Sequence, residues 1–260
     1  MSEEASGSSF EDQQVDVDGR ATQVLTAGDG DPLVFFHGGG IVEGFDCFLP
    51  LARSFHLVVP LHPGFGETAL DPAVGSVDAL VRHYVALFDA LGIEAAVLAG
   101  HSLGGWIAAT FAAEQPERVS RLVVASAYGL DVPGHPLANV RAMQPEEVFQ
   151  TLTKDPSIWE GRVPSPLDAP FLAARAQEGQ ALGRLVPGPN DPALPERVRS
   201  LAMPKLLIWG DDDRITPVGH APAWEELLGV RAKIFHGVGH LLFHEDPATV
   251  AAIGEFAKAR

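Results

Sequence analysis

The sequence predicts an α/β protein: a mostly parallel, eight-stranded sheet with helices on both faces and a helical insertion late in the chain. Three observations carry this. From Leu33 onward, short apolar runs alternate with stretches of helical period, the order expected of successive β-α-β units. Val97 to Trp106 reads as a buried strand, a one-residue pivot at Ser102 and the start of a helix. Between about Gly129 and Leu201 prolines are frequent and strand alternation stops, and about 70 residues are too many for a structureless loop.

Taken in order, Gln14 to Val17 and Ala21 to Thr26 read as two short strands joined by a turn at Asp18-Gly19. A second turn, Gly28 to Pro32, leads into Leu33-Val34-Phe35-Phe36, an apolar run bounded by turn signals that suits a fully buried strand. His56 to Pro60 is the next strand. Ser76 to Leu91 is an amphipathic helix, with Val77, Leu80, Val81, Tyr84, Val85, Phe88 and Leu91 at i, i+3, i+4 spacing. Ser76 is placed to cap it and Gly92 to end it. Ala95 to Gly100 is a strand, and an Ala-rich helical pattern from Trp106 runs to about Gln115, where Pro116 stops it. Val119 to Ala125 is another strand. Within the insertion, Pro145 to Lys154 and Ala169 to Leu185 read as helices of a cap over the cleft. The sheet resumes at Lys205 to Trp209. Pro217 to Leu228 is a helix, Val230 to Phe235 a strand and Pro247 to Lys258 the last helix. The chain thus divides into a disordered tail (1–10), a core in two pieces (11–128 and 202–260) and a helical cap (129–201).

Composition narrows the function. A net charge of −16 argues against nucleic acid and anionic membrane surfaces as partners. Cys47 is the lone cysteine, so no internal disulfide is possible and a reducing compartment is the default. No apolar run has the length of a membrane span, and the acidic, Ser-rich N-terminus lacks the order of a secretory leader. A cytoplasmic monomer or homodimer acting on a small molecule is expected.

Loops at the carboxyl ends of parallel strands gather along one edge, where ligands bind. Here they hold, in chain order, a glycine-rich stretch, a serine, an acidic cluster and a histidine. Gly100-His101-Ser102-Leu103-Gly104 fits G-x-S-x-G, a sharp strand-to-helix turn that aims a serine hydroxyl into a cleft. It also puts the Leu103 amide at a helix N-terminus, where an oxyanion can bind. His37-Gly38-Gly39-Gly40 ends a buried strand and offers further backbone donors. A serine hydroxyl needs a base within hydrogen-bond reach, and that base needs an orienting carboxylate. His240, behind Gly237 and Gly239, is the expected base. Of the other histidines, His37 is expected to brace its loop, His101 to point elsewhere around the turn, and His236 to be structural. His244 has the spacing of a metal pair with His240, but no third ligand is evident and no metal is expected. The carboxylate comes from Asp211, Asp212 or Asp213, and spacing does not choose among them; Asp131 is a more distant candidate.

With these motifs, and with Pro63-Gly64-Phe65-Gly66, Pro217 and Gly239-His240, the chain resembles α/β-hydrolases of the capped esterase type over nearly everything after about residue 10. The resemblance implies a triad of Ser102, His240 and Asp213, since the acid in that family is usually the third residue after the strand-ending glycine, here Gly210. It implies an oxyanion hole from Gly39, second after the loop histidine, with Leu103, and no cofactor. The chain departs from the pattern at His62, where relatives commonly carry aspartate. It also has His101 and Leu241 where relatives that cleave carbon–carbon bonds of ring-fission products often have asparagine and usually have tryptophan. Epoxide hydrolases and haloalkane dehalogenases need an aspartate at the elbow, and Ser102 argues against both. The expected activity is therefore that of a serine carboxylesterase on small to medium, partly apolar esters. A carbon–carbon bond hydrolase is the alternative, and a ligand-binding receptor on the same scaffold is the alternative from another class. Gly38, Gly40, His101, Phe149, Trp159, Phe171 and Leu241 are candidates to line the pocket. Arg141 and Arg175, though expected in solvent, are the insertion's candidates to meet a substrate carboxylate.

Overall fold

The computed structural model describes residues 9–186, 188 and 190–259, with the backbone alone at Arg141 and Pro145. The first eight residues of the expected tail, and the Arg141 side chain, lie outside the described residues. Strands β1 (Glu11–Val17) and β2 (Arg20–Ala27) form an antiparallel hairpin. Asp18 and Gly19 turn it at φ 54° and 81°, the left-handed pair that matches strand twist. With β3 (Asp31–Phe36), β4 (Phe55–Pro60), β5 (Ala96–His101), β6 (Val119–Ala125), β7 (Lys205–Gly210) and β8 (Ala232–Phe235) they make an eight-stranded sheet of order β1-β2-β4-β3-β5-β6-β7-β8. Every pair from β4 to β8 is parallel, while β2 meets β4 antiparallel.

Helices α1 (Val77–Ala90) and α2 (Leu103–Glu114) lie among the first strands. Ser76 Oγ accepts the Ala79 N–H at 3.1 Å and caps α1, and Gly92 follows it at φ 66°. Between β6 and β7 come α3 (Pro145–Leu152), α4 (Ala169–Leu185) and α5 (Leu194–Val198). After β7 come α6 (Ala221–Leu228), α7 (Leu242–Glu245) and α8 (Pro247–Lys258). Two expectations are corrected. The helix after the serine starts at Leu103, not Trp106, because tertiary packing overrides the weak helix propensity of Gly104 and Gly105. The helix expected from Pro217 starts at Ala221, after a 3₁₀ turn over Val218–His220.

Alternate residues of the central strands feed two cores. Val34, Phe36, Val58, Leu98, Leu122, Val124, Leu207 and Trp209 face α1, α2 and α6. Leu33, Phe35, Leu57, Val59, Val97, Ala99, Val123 and Ile208 face α8 and the 3₁₀ stretch Asp46–Arg53. The period of two within apolar runs sends both faces inward, as a doubly covered parallel sheet requires. Among the described residues no helix is long and apolar enough to cross a membrane.

Candidate active site

Ser102 sits between β5 and α2 at φ 56° and ψ −118°, a conformation strained for a residue with a Cβ. Backbone hydrogen bonds hold it: Ser102 N–H donates to Ala125 O at 2.9 Å, and Ser102 O accepts from the Gly105 and Tyr128 N–H at 3.0 Å each and from Trp106 N–H at 3.4 Å. The flanking glycines admit the crossing chains. A Cβ at Gly100 would stand 2.1 Å from Gly104 O, and one at Gly104 would stand 1.9 Å from Phe36 O. Ser102 does not cap α2 with its side chain, so the first amides of the helix, beginning at Leu103, are left for another acceptor.

His240 Nδ1 donates to Asp213 Oδ2 at 2.8 Å, with both side chains buried. Asp213 Oδ1 accepts the Ile215 and Thr216 amides at 2.9 and 2.8 Å, and Thr216 Oγ1 lies 2.9 Å from Oδ2. Burial alone would push this carboxyl up, but His240 and these donors more than reverse it and hold the group below the usual carboxylate range. A neutral His240 that donates through Nδ1 presents Nε2 as an acceptor. Among the described residues no hydrogen bond joins Ser102 Oγ to His240, and such bonds commonly tighten only with substrate. Asp211 instead accepts from His236 Nδ1 at 2.8 Å at the surface, and Asp212 pairs with Lys154 and Arg214. Asp131 is exposed.

Thr216 escaped the sequence reading. Its hydroxyl also faces Ser126 O at 2.9 Å. The available signal was Asp213-x-x-Thr216, the spacing at which an aspartate binds backbone amides two and three residues on. Thr216→Val is expected to cost about 1–3 kcal/mol of stability, because it leaves buried acceptors short of a donor. It should also lower kcat more than it raises KM, which thermal unfolding and steady-state kinetics would check.

The glycine-rich loop is braced by two stacked imidazoles, His37 and His62, with ring centres 3.6 Å apart. His62 N–H donates to His37 Nε2 at 3.0 Å, so His37 carries its proton on Nδ1 and donates to Gly38 O at 2.8 Å. His62 Nε2 donates to His37 O at 2.9 Å, and the Tyr84 hydroxyl donates to His62 Nδ1. Burial pushes His37 down to about 3 and His62 well below its ordinary value, which keeps both neutral for these roles. The departure from aspartate at His62 is thus met by a histidine pair.

His101 does not point away from the site. Its Nε2 donates to His240 O at 2.8 Å, and the two rings are 4.6 Å apart. Gly38 faces Ser102: a Cβ there would stand 3.3 Å from Ser102 Cβ. Gly39 faces Leu182 of α4, and Gly40 faces Glu43. Gly38, His101 and Leu241 line a small cavity with Glu43, Phe45 and His244 that has room for about one water. Leu241 is buried, and its N–H donates to Leu152 O at the end of α3. Phe149, Trp159 and Phe171 pack on one another at 4.9 and 6.1 Å. The Trp159 indole donates to Phe149 O. Glu43 and Glu178 carried no signal in the sequence beyond being two acids among 34. Among the described residues no group of three or more His, Cys, Asp or Glu is placed to hold a metal.

A model of the alpha/beta hydrolase family matches residues 33–253. An uncharacterized protein of Mycobacterium tuberculosis is 29% identical, covering 88% of this chain and 75% of that one. The 2-hydroxy-6-oxo-6-phenylhexa-2,4-dienoate hydrolase of Comamonas testosteroni is 26% identical, covering 82% of each. Among solved structures, a bacterial membrane phospholipase A superposes with a TM-score of 0.82 at 26% identity, covering 96% of this chain and 86% of that one. The family match spans β3 to β8 and the helices between them, and the chain belongs to the alpha/beta hydrolase family.

Proposed function

We propose that the chain is a serine carboxylesterase working through an acyl-enzyme on small to medium, partly apolar esters. The observation that carries this reading is the buried 2.8 Å bond from His240 to Asp213 beside a serine held on a strained turn. Ser102 Oγ attacks the ester carbonyl carbon while His240 Nε2 takes its proton. The Gly39 and Leu103 amides hold the resulting oxyanion, worth roughly 3–4 kcal/mol per donor. Collapse expels the alcohol, which leaves with the proton from His240. Water then attacks the acyl-enzyme carbonyl and gives a proton to His240, which passes it to Ser102 Oγ as the acid leaves. Residues 129–201 act as the cap that shapes the pocket. This is supported by Leu182 lying at Gly39, by Ala181 at Gly64 and by the bond between Leu241 and Leu152.

p-Nitrophenyl esters of two to twelve carbons, with an alkyl phosphonate as covalent probe, test the proposal. The expected result is turnover peaking at one chain length, with phosphonate mass on the peptide carrying Ser102. Folded protein that neither turns over an ester nor takes the label would overturn it. A carbon–carbon bond hydrolase is the second reading, favoured by similarity to the Comamonas enzyme and opposed by His101 and Leu241. Turnover of ring-fission diketones without ester turnover would favour it.

A further inference from the structure

Helix α4 carries a charged pair on a stripe that is otherwise apolar. Phe171, Arg175, Glu178, Ala181, Leu182 and Leu185 recur at helical spacing along it. Ala181 and Leu182 reach Gly64 and Gly39, so the stripe runs down to the glycine-rich loop. One turn before Leu182 stands Glu178, only 5% exposed. Arg175 Nη2 donates to Glu178 Oε1 at 2.6 Å, and the guanidinium lies over the Phe171 ring. Arg175 Nε and Nη1, however, are buried without a hydrogen-bond partner. Guanidinium cannot shed its charge, and buried donors without acceptors are costly, so a ligand oxygen accepting from these N–H groups would be stabilising. A third charged group, Glu43 in the loop after Gly40, is near enough to Arg175 and Glu178 for their charges to interact.

We infer that Arg175 and Glu178 form a subsite for a neutral hydrogen-bond acceptor in the substrate, a keto, amide or second ester oxygen, from which Glu178 excludes carboxylates. This subsite rests on the esterase reading of Ser102. Arg175 has the donors, and Glu178 offsets its charge. A neutral oxygen needs only the donors. An entering carboxylate would need the charge as well, and would meet Glu178. Arg175 is two turns from Leu182, about 10 Å along the helix axis, so the acceptor lies several carbons from the scissile carbonyl.

The exclusion depends on pH. Burial pushes the Glu178 carboxyl up to about 7, with Arg175 opposing and Glu43 adding to the rise. Burial also raises Glu43, against His240, Arg175 and Arg162. Above about 7 Glu178 is ionised and occupies Arg175; below it Glu178 is protonated and the Arg175 charge stands open to an anion.

Three p-nitrophenyl esters of matched length test this: the heptanoate, the 6-oxoheptanoate and the half ester of heptanedioic acid. At pH 8 kcat/KM should fall from keto to alkyl to carboxylate, by about tenfold at each step. The carboxylate-to-alkyl ratio should rise about tenfold between pH 8.5 and 6, and a ratio cancels any titration common to both esters. This needs no variant. Glu178→Gln should raise the ratio at pH 8 and flatten its pH dependence, and Arg175→Met should erase the keto advantage. A keto ester no better than the alkyl ester, or a ratio flat with pH in the wild-type protein, would overturn the inference and leave the esterase intact. Folded protein that turns over none of the three esters and takes no phosphonate label would instead overturn the reading of Ser102.

Discussion

Asp213→Asn is expected to lower ester turnover about 10⁴-fold in a protein that still folds. The reason is the donor pattern around the carboxylate. Oδ1 accepts two backbone amides, from Ile215 and Thr216, so an asparagine must place its carbonyl oxygen there. Its NH₂ then takes the position of Oδ2 and faces His240 Nδ1 and Thr216 Oγ1. A donor at that point forces Nδ1 to accept and moves the His240 proton to Nε2, where it can no longer take one from Ser102. The loss falls on kcat, because the substituted group touches no substrate. Ser102→Ala, which removes the nucleophile, should cost about 10⁶-fold and leave only what binding and oxyanion donors supply. Steady-state kinetics on the best p-nitrophenyl ester, beside thermal unfolding, would check both. An Asp213→Asn protein keeping a tenth of its activity would place the acid elsewhere.

What could be read from the sequence follows the length scale of the forces. The eight strands were legible as short apolar runs bounded by turn signals, and the long helices by a hydrophobic period over many residues. α5 and α7, of five and four residues, are too short to show one. The turn at Ser102 and the glycine-preceded His240 were legible as motifs because both are local patterns. Asp213 was not separable from Asp211 and Asp212 by spacing; the difference is three-dimensional, since Asp213 alone turns into the protein toward His240. His101 was misread for the same reason: its partner is 139 residues away. Arg175 was legible only as a candidate contact for a substrate carboxylate, and its partner Glu178 was not, because nothing local in the sequence marks an acid that folding buries to 5% exposure.

Gly104→Ala should separate local preference from tertiary demand most sharply. Gly104 lies in the first turn of α2, where alanine is intrinsically the better residue by about 1 kcal/mol. By that measure alone the substitution stabilises. Its new Cβ, however, would stand 1.9 Å from Phe36 O and 2.5 Å from His37 O, both backbone atoms. Neither can yield without moving the end of β3 and the start of the glycine-rich loop, which the His37 and His62 rings hold in place. The expected result is a destabilisation above about 4 kcal/mol, the range reserved for core disruption, and a fall in Tm of about 10 °C or more. Gly179→Ala is the matched control. That glycine lies inside α4 with open space around its Cβ position, so alanine there should stabilise by about 0.5–1 kcal/mol. Opposite signs from two helical glycines would show that the elbow's small residues are fixed by the chain crossing them. A Gly104→Ala protein as stable as the wild type would mean that β3 and α2 can separate without cost, and the rigidity ascribed to the elbow would be lost with it.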